Sequence, residues 1–168
     1  LNLRLQLGVK SEAVISGDKD QYRYILRRTW DENLPKTCWI CLNPSTADAN
    51  TDDPTLHKIQ TFCRLWGYGQ ATVVNLFAFR SKFPIFLHAT PAPVGPMNDM
   101  WINQEATGAD LVICAWGKEG WFMGRGAEVL SRIRTLGVTP MALKLNKDGS
   151  PQHPLYISLT AKPMEIPE

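Results

Sequence analysis

Two side-chain amides, an imidazole and two carboxylates mark the points of this 168-residue chain where chemistry is easiest to place. Asn43 stands in Leu42-Asn43-Pro44-Ser45, directly after an apolar run from Cys38 to Leu42. Asn75 falls at the end of the run Ala71-Thr72-Val73-Val74-Asn75-Leu76, and His153 lies between Gln152 and Pro154. Asp48 and Asp53 occupy the polar stretch after the first run. An amide offers a donor and an acceptor in one plane, which suits the edge of a nucleobase. An imidazole can donate to charge growing on a leaving group, and a carboxylate can take a proton from water. Phe77 and Trp116 are rings on which a base can stack. Asn43, His153, Asp53 and Asp48 are therefore the candidate catalytic residues. Ser45, Asn75, Phe77, Arg80, Trp116 and Gly117 form the candidate substrate-binding set.

Each has a structural role open to it as well. Asn43 before Pro44 is turn chemistry, since proline removes a backbone donor and holds the preceding residue extended. Asn75 can be a turn residue, Trp116 a core residue and His153 a loop residue bonded to backbone. Asp53 before Pro54 is a natural helix cap.

The elements that must position these groups follow from hydrophobic periodicity. Cys38–Leu42, Ala71–Leu76, Asp110–Ala115 and Val138–Leu145 read as four core strands. Three helices separate them, over Pro54–Trp66, from Asn98 to Gly108 and over about Arg125–Leu136. Asn98 is expected to cap the second helix, with Met97 and Ile102 placed to form a hydrophobic staple. Strands alternating with helices predict an α/β fold: a three-layer α/β/α sandwich around a four-stranded parallel sheet. In such a sheet the carboxyl ends of the strands lie side by side, and ligands bind there. Residues 1–36 read as an N-terminal β extension, a hairpin or flanking strands, with Leu3, Leu5 and Leu7 alternating and Tyr22, Tyr24, Leu26 and Arg28 sharing a side. Arg23, Arg27 and Arg28 read as a solvated strand face, with phosphate contact as the alternative. Residues 37–161 form the core of a single domain, and 162–168 a loose tail.

Composition is that of a soluble globular chain, 44% hydrophobic and 20% charged, with a net charge of +2 that does not by itself announce nucleic acid. No run is apolar enough to span a membrane and no secretory signal is visible, so a cytoplasmic location is expected. Cys38 and Cys41 form a C-x-x-C, yet residues three apart on a strand face opposite ways and cannot share a ligand. Structural thiols in a reducing compartment are expected, and neither a metal nor a cofactor enters the reading. The glycines at 117, 120, 124 and 126 do not give a dinucleotide fingerprint, and neither a phosphate-loop lysine nor a G-x-S-x-G elbow is present.

Across most of its length the chain resembles a family found in bacteria, archaea and phages and labelled only as a domain of unknown function (DUF1643-like). The resemblance rests on Tyr22-Arg23-Tyr24, Leu42-Asn43-Pro44-Ser45-Thr46-Ala47-Asp48, Asp53-Pro54-Thr55, Trp66-Gly67-Tyr68-Gly69 and Val74-Asn75-Leu76-Phe77-Ala78, with Ala115-Trp116-Gly117 and His153-Pro154-Leu155-Tyr156. More distantly, the order of motifs is similar to the uracil-DNA glycosylase superfamily, and Leu42-Asn43-Pro44-Ser45 resembles the first motif of its mismatch-specific and single-strand-selective branches, where Asn-Pro-Gly follows the first core strand. That resemblance implies a glycosylase-like fold in which Asn43 positions the attacking water, Asn75 reads the base and Phe77 stacks on it. His153 would then stabilise charge on the departing base. Ser45 stands where those branches carry glycine, and Leu155-Tyr156 where the final motif carries small residues, a last loop less suited to pushing a base out of a helix.

The expectation is a nucleobase-recognising enzyme that cleaves or processes an N-glycosidic bond in a nucleic acid or a modified nucleotide. The alternative is a non-catalytic module that binds a nucleotide or nucleic acid. A weaker third reading is an interaction protein that uses exposed aromatics.

Overall fold

A computed structural model describes residues 8–45 and 47–168. The strand expected at Leu3, Leu5 and Leu7 lies outside them. Seven strands form one sheet among the described residues: β1 (Lys10–Ser16), β2 (Tyr22–Thr29), β3 (Lys36–Cys41), β4 (Gln70–Asn75), β5 (Leu111–Cys114), β6 (Pro140–Ala142) and β7 (Met164–Glu165). Their order across the sheet is β1-β2-β4-β3-β5-β6-β7. Helices α1 (Pro54–Leu65), α2 (Asn98–Gly108) and α3 (Arg125–Thr135) complete the α/β fold.

The sheet is mixed and wider than the four strands expected. The pairs β4–β3, β3–β5 and β5–β6 run parallel, whereas β1–β2, β2–β4 and β6–β7 run antiparallel. β3 is covered on both faces: Cys38, Trp39 and Ile40 are 0% exposed. That is why its sequence is a continuous apolar run without alternation. Cys38, Ile40 and Val74 pack with Ile102 and Ala106 of α2 and Val129 and Ile133 of α3. Trp39, Cys41 and Val73 pack with Leu56, Ile59, Phe62 and Cys63 of α1. Cys38 and Cys41 thus sit in two different cores.

α1 forms where expected. Asp53 has extended backbone and its Oδ1 accepts from the Leu56 amide at 2.8 Å, while Pro54 opens the helix. The four buried residues Leu56, Ile59, Phe62 and Cys63 form its apolar stripe. Asn98 departs from its expected part as a cap. Its side chain points into the sheet and donates from Nδ2 to the carbonyls of Asn75 (2.8 Å) and Leu76 (3.0 Å). Arg125 at the start of α3 adds a bond from Nε to Leu76 O at 2.9 Å. Two helices thereby grip the carboxyl end of β4.

Two expectations about the chain ends are corrected. β2 does not alternate strictly: the register passes from Val14↔Ile25 to Ile15↔Arg23, which leaves Tyr24 as an extra residue in a β-bulge. Tyr24 and Ile25 therefore share a core, and Leu26 joins the opposite one. Arg23 and Arg28 are not solvated either, being 4% and 2% exposed. At the other end, residues 162–168 are no loose tail. β7 pairs with β6, Ile166 is buried, and Arg134 Nη2 donates to Ile166 O at 2.8 Å.

Removing the Asn98 side chain leaves the Asn75 carbonyl without its buried donor. Asn98→Ala is expected to lower the unfolding free energy by about 2 kcal/mol. Urea denaturation checks this; a loss under about 0.5 kcal/mol would mean that water or a shifted backbone satisfies the carbonyl equally well.

Candidate functional site

The carboxyl ends of β3, β4 and β5 are fastened into one rim. Cys41 lies opposite Asn75, and Ile40 opposite Cys114. Pairing continues past the strands, with Leu76 N donating to Cys41 O (2.9 Å), Phe77 N to Leu42 O (3.0 Å) and Ala115 N to Ile40 O (2.8 Å). Asn43 follows two residues after Cys41, and Trp116 two after Cys114. The register alone therefore brings Asn43, Asn75 and Trp116 to the same edge.

They surround a cavity of about 260 Å³ whose lining includes Asn43, Ser45, Asp53, Asn75, Trp116 and His153. Six of the ten candidate residues thus meet in one place. The other four do not line it. Phe77 is fully buried in the core, its ring 5.5 Å from that of Phe122, so it offers no stacking face to this cavity. Asp48 Oδ1 accepts from the amides of Asn50 (2.7 Å) and Thr51 (2.8 Å), which shapes the loop and holds its carboxyl below the usual range. Arg80 borders a neighbouring hollow with Phe79, Ser81 and Phe86. Gly117, at φ 74°, makes a turn and donates its N–H to Pro151 O at 2.8 Å, tying the loop that carries His153 to the end of β5.

Each lining side chain is held in a definite role. Asn43 donates from Nδ2 to Ser81 O (2.8 Å) and Pro44 O (3.1 Å), and Ser81 N returns a bond to Pro44 O (2.9 Å). Both amide hydrogens are engaged, so the chemistry left to Asn43 is that of its acceptor Oδ1. Asn75 is the converse. It is 1% exposed, and its Nδ2 has no acceptor among the described residues. Asp53 uses Oδ1 for the helix cap and accepts the Ser45 hydroxyl on Oδ2 at 2.9 Å. A carboxylate has lone pairs to spare beyond these two bonds.

His153 accepts the Leu155 N–H on Nδ1 at 3.3 Å. The proton of the neutral ring then resides on Nε2, which is left as a donor. Burial pulls the His153 pKa below its ordinary value and the charge of Asp53 only partly restores it. Trp116 is 4% exposed and forms the cavity's indole wall. A Cβ on Gly120 would lie 2.1 Å from Trp116 Cδ1, so only glycine permits this ring position. Cys41 also lines the cavity, but burial pushes its thiol up to about 12, which rules out a thiolate nucleophile at neutral pH.

Sequence reasoning passed over Thr55, Ser81 and Lys82 and read Arg23 as a solvated strand face with phosphate contact as the alternative; all four line the cavity. For Arg23 the signal was its apolar setting between Tyr22, Tyr24 and Ile25, which marks a buried strand. Ser81 and Lys82 fall in what reads only as a connecting loop. Among the described lining residues Asp53 is the one carboxylate, against the cations Arg23 and Lys82.

The position of His153 has a consequence for pH. The unfolded chain takes up this proton near pH 6.5, whereas the folded protein holds it only at lower pH. Below pH 6.5 the unfolded state binds more protons, so His153 makes stability fall as pH falls through that window. An NMR titration is expected to place the His153 midpoint below that of an exposed histidine, and His153→Asn should flatten the acid side of the stability profile. A midpoint at or above 6.5 would contradict the burial described here.

No curated protein and no solved structure matches the chain, so neither comparison supports a link to the uracil-DNA glycosylase superfamily. A family model described as a protein of unknown function does match, over residues 23–155, a span that carries Arg23, both amides and His153. The chain belongs to that family, DUF1643.

Proposed function

We propose that the cavity receives a nucleobase and that the protein hydrolyses the N-glycosidic bond joining it to its sugar. The observation that carries this reading is Asn75, a buried amide at the wall of a cavity, its Nδ2 lacking an acceptor among the described residues. A buried donor without a partner is costly, and a carbonyl or ring nitrogen on a ligand edge would satisfy it. Trp116 gives the base an apolar face. The volume, about 260 Å³, falls just under the common range of roughly 300–1,000 Å³ for ligand pockets and suits a small ligand.

Chemical roles follow from the free atoms. A water bound to Asn43 Oδ1 is oriented toward the anomeric carbon, and an amide can only orient it, being no base. Asp53 takes a proton from that water as the new C–O bond forms. The C–N bond breaks with its electron pair moving to the base. His153 donates a hydrogen bond from Nε2 to the charge growing there, and the proton that Asp53 took from water passes through solvent to the released base. Products are the sugar hydroxyl and the protonated base, so the exchange balances as a hydrolysis. Asp48 has no part in this scheme, since it does not line the cavity.

Incubation with nucleosides, nucleotides and DNA carrying damaged or hypermodified bases is expected to release a free base detectable by chromatography. Asn43→Ala and His153→Ala should each lower the rate by about 10²–10³-fold. Saturable binding of these compounds without release would favour the non-catalytic module. Neither binding nor release across the panel would overturn both readings.

A further inference from the structure

Three arginines among the described residues are almost wholly buried: Arg23, Arg28 and Arg125, at 4%, 2% and 2% exposed. Two of them have carboxylate partners. Arg28 donates from Nε and Nη2 to Asp52 Oδ1 at 2.9 and 2.7 Å. Arg125 pairs with Asp99 and, through Nη1, with Glu128 at 3.0 Å. Arg23 has no carboxylate at ion-pair distance among the described residues. Its Nη1 donates to the backbone carbonyl of Ala47, and its Nε has no acceptor among the described residues.

The difference is one of location, because Arg23 alone of the three lines the cavity. The nearby acid, Asp53, attracts it only from a distance, both carboxylate oxygens being held by Ser45 and Leu56. The neighbouring Arg80 repels it, and Lys82 adds a second cation to the lining. Burial lowers the Arg23 guanidinium to about 10, so it keeps its charge at neutral pH. A buried, charged and incompletely bonded guanidinium is strongly unfavourable unless an anion completes it. The forked geometry of a guanidinium matches a phosphate group best.

We propose that Arg23, assisted by Lys82, binds a phosphate group of the ligand, so that the cavity takes a phosphorylated nucleotide unit in preference to a bare base or nucleoside. The phosphate site stands on Arg23 itself; that the rest of the ligand is a base rests on the reading of Asn75 given above. The bulge at Tyr24 serves this site, since it places Arg23 on the same side of the sheet as Leu26, facing α1.

Calorimetric titration of the full chain with the four common nucleosides, their 5′-monophosphates, inorganic phosphate and a short single-stranded oligonucleotide tests this. The phosphorylated ligands are expected to bind at least about 10-fold more tightly than the nucleosides, as a charge-assisted pair of hydrogen bonds implies. Arg23→Gln should remove that advantage and leave nucleoside binding within about 2-fold. Tighter binding of the monophosphate or of the oligonucleotide identifies the source of the phosphate. Binding of inorganic phosphate that Arg23→Gln abolishes, with no added affinity for any nucleotide, would keep the phosphate site and sink the nucleobase reading. Equal affinity for nucleoside and monophosphate, or no binding of any phosphate compound, would overturn the proposal while leaving nucleoside binding to stand or fall on its own. Should Arg23→Gln fail to fold, the comparison of ligands on the unaltered protein decides.

Discussion

The hydrogen bonds that continue beyond the ends of β3 and β4 are the constraint on which the site depends. Leu76 and Phe77 donate to Cys41 and Leu42, and Ser81 and Asn43 then stitch the following loops to each other. Parallel strands have no tight turn to fix their ends, so these bonds do what a hairpin would do elsewhere. Without them the loop that carries Asn43 and the segment that leaves β4 at Asn75 would be free of each other. With them the amides occupy adjacent positions on one rim, one presenting an acceptor and the other a donor. Asn98 and Arg125 reinforce the same point from the opposite face by holding the carbonyls of Asn75 and Leu76.

A second layer of control lies in the charges around α1. Arg28 binds Asp52 and the carbonyl of Asp48, and Gln60 Nε2 donates to Asp52 Oδ2 at 2.7 Å. The loop between β3 and α1 is thereby drawn onto β2. Asp53, the next residue, serves at once as helix cap, partner of Ser45 and cavity wall. Its three roles are compatible because a carboxylate accepts more hydrogen bonds than a cap requires. No helix among the described residues is long and apolar enough to cross a membrane.

The core strands and helices were legible because burial imposes strong patterns. The run Cys38–Leu42 and the stripe of α1 each leave one structural solution, and Asp53-Pro54 announces its helix outright. The convergence of Asn43, Asn75, Trp116 and His153 was also readable, since it follows from the ordering of strand ends. The bulge at Tyr24 was not. One extra residue in β2 reverses the facing of everything on one side of it, and no residue type at that point signals the insertion. Strict alternation would set Arg23 beside Arg27; in the fold Arg23 and Arg28 turn toward α1, while Arg27 turns to Glu105 on α2. Phe77 was misplaced for a similar reason. It lies two residues past a strand end, where the direction of a side chain depends on the loop rather than on the strand period. Residues 162–168 read as a tail because two-residue pairing such as Met164–Glu165 leaves almost no mark on a sequence.

The account's central claim is that one cavity brings Asn43, Asn75 and His153 to bear on a single nucleobase. A crystal structure of the protein soaked with a nucleoside monophosphate tests it most directly. The account predicts a base against Trp116 with its edge on the Asn75 amide, the glycosidic bond between Asn43 Oδ1 and His153 Nε2. A ligand seated elsewhere, or one in this cavity touching neither amide, would contradict it.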